Sequence, residues 1–534
     1  MKIQIDKKEI LSLAMVLALA CFFRLWQLNS IPPGLYPDEA INGNEAISNP
    51  GKVFYRENNG REGLFINLIF LSFKIFGASV WALRFVPAII GILTVFGLYL
   101  LTKELFRDFR SKYGLKPETI AILSSFFLAV SFWHTNFSRI AFRGILVPFL
   151  LVFSFYFLFR GFRNKKLGNF ILSGITFALG FYTYIAFRFA VLILMAILFF
   201  EWLEQKRKSL KTKKILILNT LYFLLTTVLV ALPIGIYFLL NPQYFLARSK
   251  DVSVFGQANP FSALAKSFIS HLGMFHFYGD LNWRHNIAGF PVLFWPVGIL
   301  FLIGFFFLVK EIIKSIKRKD YSLITIYSSL FIWWLTMLLP GILTYEGIPH
   351  ALRCIGAIPP TFIFAGLGGA LIFGAFGRKV SFRPGGFSFY LITFSLVLLL
   401  ISFVSAQSTR YFVIWAKNPA VKDAFANNLV EVGNYLNSLP ETTAKYVVVN
   451  QPGVPVPFPT GMPMPAQTPI FIETAKFGKS RTNYLLPAEI KKNKIKKGAT
   501  VVLMTYDKEI IIKLLLMFPE GKIDLKNGIW IYKT

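Results

Sequence analysis

Acidic side chains and cysteines are scarce in this chain of 534 residues. It has 26 Asp and Glu against 57 Lys and Arg, and its two cysteines are Cys21 and Cys354. Two distant cysteines exclude a disulfide framework and a CxxC metal motif. Charged residues make up only 16% of the chain, whereas 55% is hydrophobic and 17% is aromatic. This apolar excess is larger than a soluble core requires, and it predicts a membrane protein.

Apolar runs of about 17–25 residues, the length needed to cross a bilayer, recur along the first 405 residues. We therefore predict a polytopic α-helical membrane protein located in the cell membrane. The eleven predicted spans are 9–28, 80–102, 118–134, 144–160, 168–184, 187–203, 215–239, 290–310, 322–343, 354–376 and 387–405.

Positive charge alternates between the connections of these spans. Lys and Arg are dense near 103–116, 160–166, 206–214, 310–319 and 378–383. Because basic loops stay on the cytoplasmic side, the N-terminus is predicted inside. With an odd number of spans, the C-terminus is then outside. The same bias accounts for the net charge of +31, so we expect no nucleic-acid partner.

Three predicted outer segments are long: 29–79, 240–289 and 406–534. The first contains an apolar stretch at 64–76 that is too short to span, and we interpret it as an interfacial helix. The last is predicted to form an extracytoplasmic α/β domain after a transmembrane domain at 1–405. Its predicted elements are an amphipathic helix at 418–438, a helix in "EIIIKLLLMFP", and strands in "KYVVVN", "PIFIET", "TVVLMT" and "GIWIYKT".

An acid pair, Asp38 and Glu39, follows the first span in "IPPGLYPDEA". Acids beside a helix start cap the helix and suit its dipole, which is one interpretation. The other is catalytic, because a carboxylate near the membrane boundary can take a proton from an attacking hydroxyl. Arg84, near the outer end of a span, has two similar interpretations. It can snorkel to lipid phosphates, or it can bind the phosphate of a lipid substrate.

Further polar residues collect in the outer connections. In "SFWHTNFSRIAFRG", Arg139 and Arg143 are four residues apart and are expected to share a helix face, where a bound anion would relieve their repulsion. The segment "FHFYGDLNWRHN" brings His and Asp together, which is consistent with a metal site, but its spacing fits no strong ligand pattern. The polar residues of these connections are His134, His276, Asp280, Arg284, His285, Tyr345, Glu346, His350 and Arg353.

The position of these ionisable residues, at the junctions of outer loops and helices, bears on function. An ion-coupled transporter is expected to carry charged residues or broken helices near the bilayer centre. None of the predicted spans carries a convincing acid there. This pattern favours chemistry on a lipid-borne substrate at the outer membrane surface. A flippase or exporter of lipid-linked glycans is the alternative, and its signature would be a cationic cavity through the membrane.

Several stretches carry a family resemblance. They are the acid pair after the first helix, "LFINLIFLSFKIFGAS" leading to Arg84, "WHTNFSRIAFRGILVPFL", "LGFYTYIAFRFAVL", "GDLNWRHNIAGFPVLFWPVGILFLIG" and "GIPHALRCIGAIPP". In these stretches the chain resembles the glycosyltransferase-C superfamily. More narrowly, it is similar to the protein mannosyltransferase and aminoarabinose transferase group. The resemblance covers most of 1–405.

The resemblance implies an inverting glycosyltransferase with a polyprenyl-phosphate sugar donor and a hydroxyl acceptor on a lipid, glycan or protein. It implies that Asp38 is the general base or orients the acceptor, and that Glu39 supports it. Arg84 would stabilise the leaving lipid phosphate, where charge grows in the transition state. Further donor-phosphate candidates, by location, are Arg139, Arg143, His350 and Arg353. Other site candidates are His134, Tyr345, Asp280 and Arg284.

The resemblance leaves a divalent cation open, because some members of the superfamily use one and others do not. Some members also show a second acidic motif in the loop near 134–143, and this loop has no acid here. A metal held between two acidic motifs is therefore less expected. Possible partners elsewhere are Glu57, Glu62 and Glu346.

Overall fold

The computed structural model describes residues 7–109, 114–206, 209–245, 251–379, 387–456, 461–526 and 528–534. Parts of the predicted basic connections, at 110–113, 207–208 and 380–386, lie outside the described residues. So do residues 246–250 of the predicted outer segment 240–289, and residues 457–460 and 527 of the predicted tail domain.

The described α-helices are numbered along the chain. They are α1 (Lys7–Leu25), α2 (Pro37–Ser48), α3 (Leu64–Phe76), α4 (Val80–Leu105), α5 (Pro117–Val130), α6 (Phe132–Phe137), α7 (Leu146–Asn164), α8 (Leu167–Leu179), α9 (Ala190–Gln205), α10 (Leu210–Leu240), α11 (Pro260–Gly273), α12 (Trp295–Arg318), α13 (Tyr321–Thr336), α14 (Leu339–Ile342), α15 (Ile358–Lys379), α16 (Phe387–Ser408), α17 (Pro419–Ala424), α18 (Asn427–Ser438), α19 (Gln467–Phe477) and α20 (Lys508–Met517).

The described strands are short. They are β1 (Phe54–Tyr55), β2 (Arg61–Glu62), β3 (Lys445–Val448), β4 (Asn483–Leu485), β5 (Thr500–Leu503), β6 (Lys522–Lys526) and β7 (Ile529–Lys533). The chain divides into two compact units, each assembled from separated segments. The first unit contains Met1–Trp26, Pro87–Ser138 and Arg143–Trp415, and the second contains Gln27–Val86, Arg139–Phe142 and Ala416–Thr534.

Eight helical segments within the described ranges are long and apolar enough to cross a membrane, which makes the chain a multi-pass membrane protein. They are Val80–Leu105, Arg143–Asn164, Ile185–Gln205, Leu210–Leu240, Trp295–Arg318, Tyr321–Ile342, Ile355–Ala375 and Val397–Trp415. Shorter apolar helices are Leu64–Phe76, Pro117–Val130 and Leu167–Tyr182. The helix α3 coincides with the predicted stretch at 64–76. The count of eleven spans stays a prediction.

One predicted span, 118–134, is not a single helix. The helix α5 ends at Val130, and Ser131 adopts an extended conformation with φ −67° and ψ 135°. The hydroxyl of Ser131 then accepts a hydrogen bond from the backbone N–H of His134 and caps α6. The 14 residues of α5 rise about 21 Å, which is less than the apolar thickness of a bilayer.

The second unit contains a five-stranded mixed sheet of order β4-β3-β5-β7-β6. The strand β3 pairs in parallel with β4 and β5, whereas β7 pairs antiparallel with β5 and β6. Along β3, Val447 faces a core that includes residues of α18 and α19, and Val448 faces a core that includes residues of α20. Because helices cover both faces, β3 and β5 are buried along their whole length.

Two predicted elements of this segment are wrong. The stretch "PIFIET" was expected to form a strand, but it lies within α19. Short apolar runs do not distinguish strands from buried helices, and Pro469 sits in the first turn of α19, where proline is tolerated. The predicted helix 418–438 is two helices, α17 and α18, separated at Ala426, whose φ is +51°.

Within the second unit, α2 packs closely against α19. A Cβ atom at Gly43 would lie 2.4 Å from the ring of Phe471, so this contact requires glycine. The amide of Asn44 donates to the side-chain oxygen of Gln467 over 2.9 Å. The hydroxyl of Thr468 donates to the carbonyl of Leu35 over 3.0 Å. The first predicted outer segment and the C-terminal segment therefore share one core.

Candidate active site

The acid pair occupies the first turn of α2. Tyr36 precedes the helix in an extended conformation, and Pro37 takes the first helical position, where its fixed φ suits a helix start. The carboxylate of Glu39 accepts a hydrogen bond from the backbone N–H of Tyr36 over 3.3 Å. Glu39 therefore caps α2, as one of the two interpretations of the acid pair expected.

Glu39 also forms a buried ion pair with Arg84. The Nε and Nη2 atoms of Arg84 each donate to one carboxylate oxygen of Glu39 over 3.1 Å, and both side chains are 0% exposed. Two such parallel bonds fix the orientation of a carboxylate as well as its charge. The backbone N–H of Ala141 adds a third bond to Glu39 over 2.9 Å.

The remaining donors of Arg84 bind backbone. Its Nη1 atom donates to the carbonyl of Pro32 over 2.8 Å, and its Nη2 atom donates to the carbonyl of Gly34 over 2.7 Å. The guanidinium therefore ties α4 to the segment that enters α2. These are the contacts of a positioning residue, and the phosphate-binding role of Arg84 stays a prediction.

Asp38 differs from its neighbour because it is only partly buried. One carboxylate oxygen accepts a hydrogen bond from the side-chain amide of Asn58 over 2.8 Å. Adjacent helix residues point about 100° apart, so Asp38 and Glu39 face different surroundings. Of the acid pair, Asp38 is the more exposed carboxylate.

A second buried pair on α2 was missed by the sequence analysis. The Nη1 atom of Arg61 donates to the amide oxygen of Asn42 over 2.6 Å, and its Nη2 atom lies 2.5 Å from the carboxylate of Glu45. Burial raises the pKa of Glu45 to about 7, although the nearby Arg61 works in the opposite direction. The spacing of Asp38, Asn42 and Glu45 along one helix face is a signal that could have indicated this network.

Arg139 and Arg143 do not share a helix face, so that expectation is wrong. Residues 139–142 are not helical, because the N–H and carbonyl groups of Ala141 bind Glu39 and Asn42 instead of helical neighbours. Arg139 is 0% exposed and donates to the carbonyl of Ile31 over 2.9 Å. Arg143 is partly exposed and lies over the ring of Tyr184, 5.3 Å from its centroid.

His134 lies in a buried contact of the first unit. Its Nδ1 atom is 2.7 Å from the Nη2 atom of Arg24, and both side chains are 0% exposed. Arg24 also donates to the carbonyl of Ala129 over 2.8 Å. The predicted site candidate His134 is therefore enclosed by protein.

Asp280 and two histidines form a separate cluster in the first unit. The Oδ2 atom of Asp280 is 2.9 Å from the Nδ1 atom of His285 and 3.9 Å from the Nδ1 atom of His350. Among the residues that the structure describes, these three form the group that could hold a metal ion, with their ligand atoms all within 4.8 Å of one another. The carboxylates of Asp38 and Glu39 belong to no such group among those residues.

The surroundings of this cluster order its backbone. The N–H of His350 donates to the Nε2 atom of His271 over 3.1 Å. Burial lowers the pKa of His271, and it lowers the pKa of His350 well below its usual range. The carbonyl of Arg284 accepts a bond of 2.6 Å from the amide of Asn136.

Arg353 and Tyr345 complete the set of predicted site residues. Arg353 donates to the hydroxyl of Thr344 over 2.8 Å and forms an ion pair of 3.1 Å with the half-exposed Glu346. Tyr345 is 42% exposed. Arg353 is 9% exposed, so most of its side chain is out of solvent.

Comparisons with known proteins agree with this fold. Residues 64–237 match the family "Dolichyl-phosphate-mannose-protein mannosyltransferase". An uncharacterized protein of Aquifex aeolicus (strain VF5) is 25% identical over 295 residues, which cover 55% of this chain and 49% of that relative. The chain thus spans about half the length of the curated relative that it matches.

Two solved structures are similar in fold. ArnT from Cupriavidus metallidurans bound to undecaprenyl phosphate has a TM-score of 0.54 and 12% identity, and the match covers 98% of this chain and 97% of that chain. The archaeal oligosaccharyltransferase AglB from Archaeoglobus fulgidus, in complex with an inhibitory peptide and a dolichol-phosphate, has a TM-score of 0.52 and 14% identity, over 98% of this chain and 74% of that chain. These two structures are similar to this chain in fold, and the family match covers residues 64–237 of it.

Proposed function

We propose that this chain is an inverting glycosyltransferase that moves a sugar from a polyprenyl-phosphate donor to a hydroxyl acceptor at the outer membrane face. The observation that carries the proposal is the difference in burial and bonding between the two residues of the acid pair. Glu39 is buried and bound to Arg84, whereas Asp38 is partly exposed at the same helix start. The topology that goes with it has a cytoplasmic N-terminus and an extracytoplasmic C-terminal segment.

The similar proteins support the proposed donor class. The matching family is described by dolichyl-phosphate-mannose, ArnT is bound to undecaprenyl phosphate, and AglB is in complex with a dolichol-phosphate. All three descriptions name a polyprenyl chain that ends in phosphate. The apolar spans of this chain would hold such a lipid while the sugar reaches the polar residues.

The chemistry assigned to Asp38 is general base catalysis. Its carboxylate takes the proton of the acceptor hydroxyl as the acceptor oxygen attacks the anomeric carbon. A bond forms between that oxygen and the anomeric carbon, and the bond from the anomeric carbon to the phosphate oxygen breaks on the opposite face. The lipid phosphate leaves with the electron pair, and the configuration of the sugar is inverted.

Accessibility separates the residues proposed to bind the phosphate. Arg84 and Arg139 are both 0% exposed and donate to protein oxygens, which suits positioning roles. Arg143 and His350 are partly exposed. We therefore assign contact with the leaving phosphate to Arg143 before the buried arginines, whereas His350 belongs to the cluster with Asp280 and His285.

The decisive experiment is sugar transfer by the purified protein in lipid nanodiscs. A panel of polyprenyl-phosphate sugars is incubated with acceptors and with wild type, Asp38→Asn or Asp423→Asn. Asp423 is an exposed residue of the second unit and receives the same chemical change as a control. We expect Asp38→Asn to lower the transfer rate about 10²–10⁴-fold, the usual contribution of a general base, with thermal stability unchanged.

Two outcomes would contradict the proposal. Full transfer activity in a normally folded Asp38→Asn protein would remove the base assignment. Donor binding without turnover by wild type, across a broad acceptor panel, would favour the flippase or exporter of lipid-linked glycans. Retention of the donor's anomeric configuration in the product, read by NMR, would contradict the inverting mechanism.

A further inference from the structure

The cluster of Asp280, His285 and His350 has no part in the chemistry assigned to Asp38. Its residues come from two connections, one between α11 and α12 and the other between α14 and α15. Asp280 is 2% exposed and His285 is 5% exposed, so both lie almost entirely out of solvent. The imidazole rings of His285 and His350 pack together with centroids 4.8 Å apart and an interplanar angle of 37°.

The carboxylate of Asp280 is not simply hydrogen-bonded to one histidine, because it faces two. The same oxygen, Oδ2, faces both imidazoles, at 2.9 Å from His285 and 3.9 Å from His350. Two tilted imidazoles that face one carboxylate oxygen supply nitrogen and oxygen ligands to a common point. Mixed nitrogen and oxygen ligands are those that Zn²⁺ and neighbouring transition metals bind in proteins.

Hydrogen bonds from neighbouring groups also fix the positions of the ligand residues. The Oδ1 atom of Asp280 accepts a bond of 2.8 Å from the N–H of Asn282, and Oδ2 accepts a bond of 2.7 Å from the N–H of Ala351. His271 fixes the backbone of His350 through its Nε2 atom. Outer partners of this kind orient metal ligands and raise metal affinity.

We propose that Asp280, His285 and His350 bind a Zn²⁺-class divalent transition metal ion. Bond lengths of about 2.0–2.1 Å place tetrahedral ligand atoms about 3.4 Å apart. The Asp280–His285 pair, now at 2.9 Å, would open slightly on binding, and the Asp280–His350 pair, now at 3.9 Å, would close. Three protein ligands leave a fourth position for water or another oxygen donor. The ion would clip the two connections together, and this inference does not depend on the sugar-transfer chemistry.

The first test is metal content. Purified protein in nanodiscs is stripped with EDTA, dialysed separately against Zn²⁺ and Mg²⁺, and analysed by mass spectrometry for bound metal. We expect one Zn²⁺ per chain and little Mg²⁺, which prefers oxygen ligands. Substitution with Co²⁺ should give the visible absorption of a tetrahedral site with nitrogen ligands.

The matched variants are Asp280→Asn, His285→Gln, His350→Gln and the control His276→Gln. His276 belongs to the same connection as Asp280 but bonds the carbonyl of Gly298 and lies outside the cluster. We expect each cluster variant to weaken Zn²⁺ binding at least 100-fold, measured by competition with a chromogenic chelator, and His276→Gln to change it less than 3-fold. Saturating Zn²⁺ should raise the Tm of wild type and of His276→Gln, but not of the cluster variants.

A folding defect would not hide the answer, because His350→Cys replaces one zinc ligand with another. We expect this variant to keep stoichiometric Zn²⁺, whereas His350→Gln loses it. If the triple variant Asp280→Asn, His285→Gln, His350→Gln still binds stoichiometric Zn²⁺, the ion binds elsewhere and the proposal is overturned. Less than one-tenth of an equivalent in wild type would overturn it as well.

Discussion

The buried network on α2 pairs each carboxylate with a guanidinium, as in Glu39–Arg84 and Glu45–Arg61, whereas the loop cluster sets two imidazoles against Asp280. In the α2 network each carboxylate lies against a guanidinium, and Arg84 and Glu39 also bind backbone groups. The loop cluster holds one carboxylate and two ligand nitrogens, and Arg284 and Arg353 lie near His350. We call the α2 network closed because its carboxylates and guanidinium groups are paired, and we expect it to position the chain, whereas we expect the loop cluster to accept an ion.

The closed character of the α2 network is tested most strongly by Arg84→Met. This change leaves the carboxylate of Glu39 buried without its counterion, and we expect a loss of about 3–5 kcal/mol in the free energy of unfolding. The double variant Arg84→Met, Glu39→Met should recover most of that loss, because no charge remains buried. Denaturant titration of the solubilised protein measures both. If the free energy of unfolding of Arg84→Met lies within 1 kcal/mol of wild type, Glu39 does not depend on Arg84 as its counterion, and the network is not closed.

The Glu45–Arg61 pair predicts a dependence of stability on pH. The pKa of Glu45 is raised from 4.5 to about 7, so the folded protein holds this proton more tightly than the unfolded chain. The resulting stabilisation is complete below pH 4.5 and is lost as pH rises through 7, to a total of roughly 3 kcal/mol.

The measurement is the free energy of unfolding between pH 5 and pH 8 for wild type and two variants. Glu45→Gln should flatten the profile. Glu520→Gln changes an exposed glutamate of the same unit and should leave the slope unchanged. Equal slopes in wild type and Glu45→Gln would contradict the assignment.

The packing of α2 against α19 supports the closed network, and Gly43→Ala perturbs it sterically. The added methyl group meets the ring of Phe471 at 2.4 Å, and we expect a loss of about 1–3 kcal/mol from overpacking. The double variant with Phe471→Leu should regain part of this loss. Gly235 in α10 has no atom within 4 Å of a built Cβ, so Gly235→Ala is the control and should not destabilise.

The smallest effect is expected at the exposed edge of the loop connections. Glu346 is 53% exposed in its ion pair with Arg353, and solvent screens such pairs. Glu346→Gln should therefore cost less than about 1 kcal/mol, and the difference should shrink further in high salt. A larger loss in the free energy of unfolding would show that Arg353 depends on its carboxylate partner as strongly as Arg84 does.

Local patterns in the sequence predict much of the fold and the acid pair. The stretch 64–76 is helical, and "KYVVVN", "TVVLMT" and "GIWIYKT" contain β3, β5 and β7. Periodicity fails for "PIFIET" because an apolar run of this length fits both a strand and a buried helix. It fails at Ser131 because the side chain of this residue caps the start of a new helix, α6, within an apolar run.

Local patterns do not predict the partners of the candidate site residues, because these partners are distant in sequence. Glu39 and Arg84 are 45 residues apart, and Asp280 and Ala351 are 71 residues apart. The spacing of Asp280 and His285 matched no metal pattern because the third residue of their group, His350, comes from another connection. The composition identified the residue types, and only the tertiary structure shows which of them meet.

The bond between Asn44 and Gln467 spans 423 residues, and this separation constrains how the protein is made. At about 5–20 residues per second, a ribosome needs roughly 20–80 seconds to synthesise the chain between them. Throughout that interval the face of α2 that meets α19 has no partner, although its own helix is already complete. Glu39 can meet Arg84 and Ala141 early in synthesis, whereas α2 gains its neighbour α19 only near the end of translation.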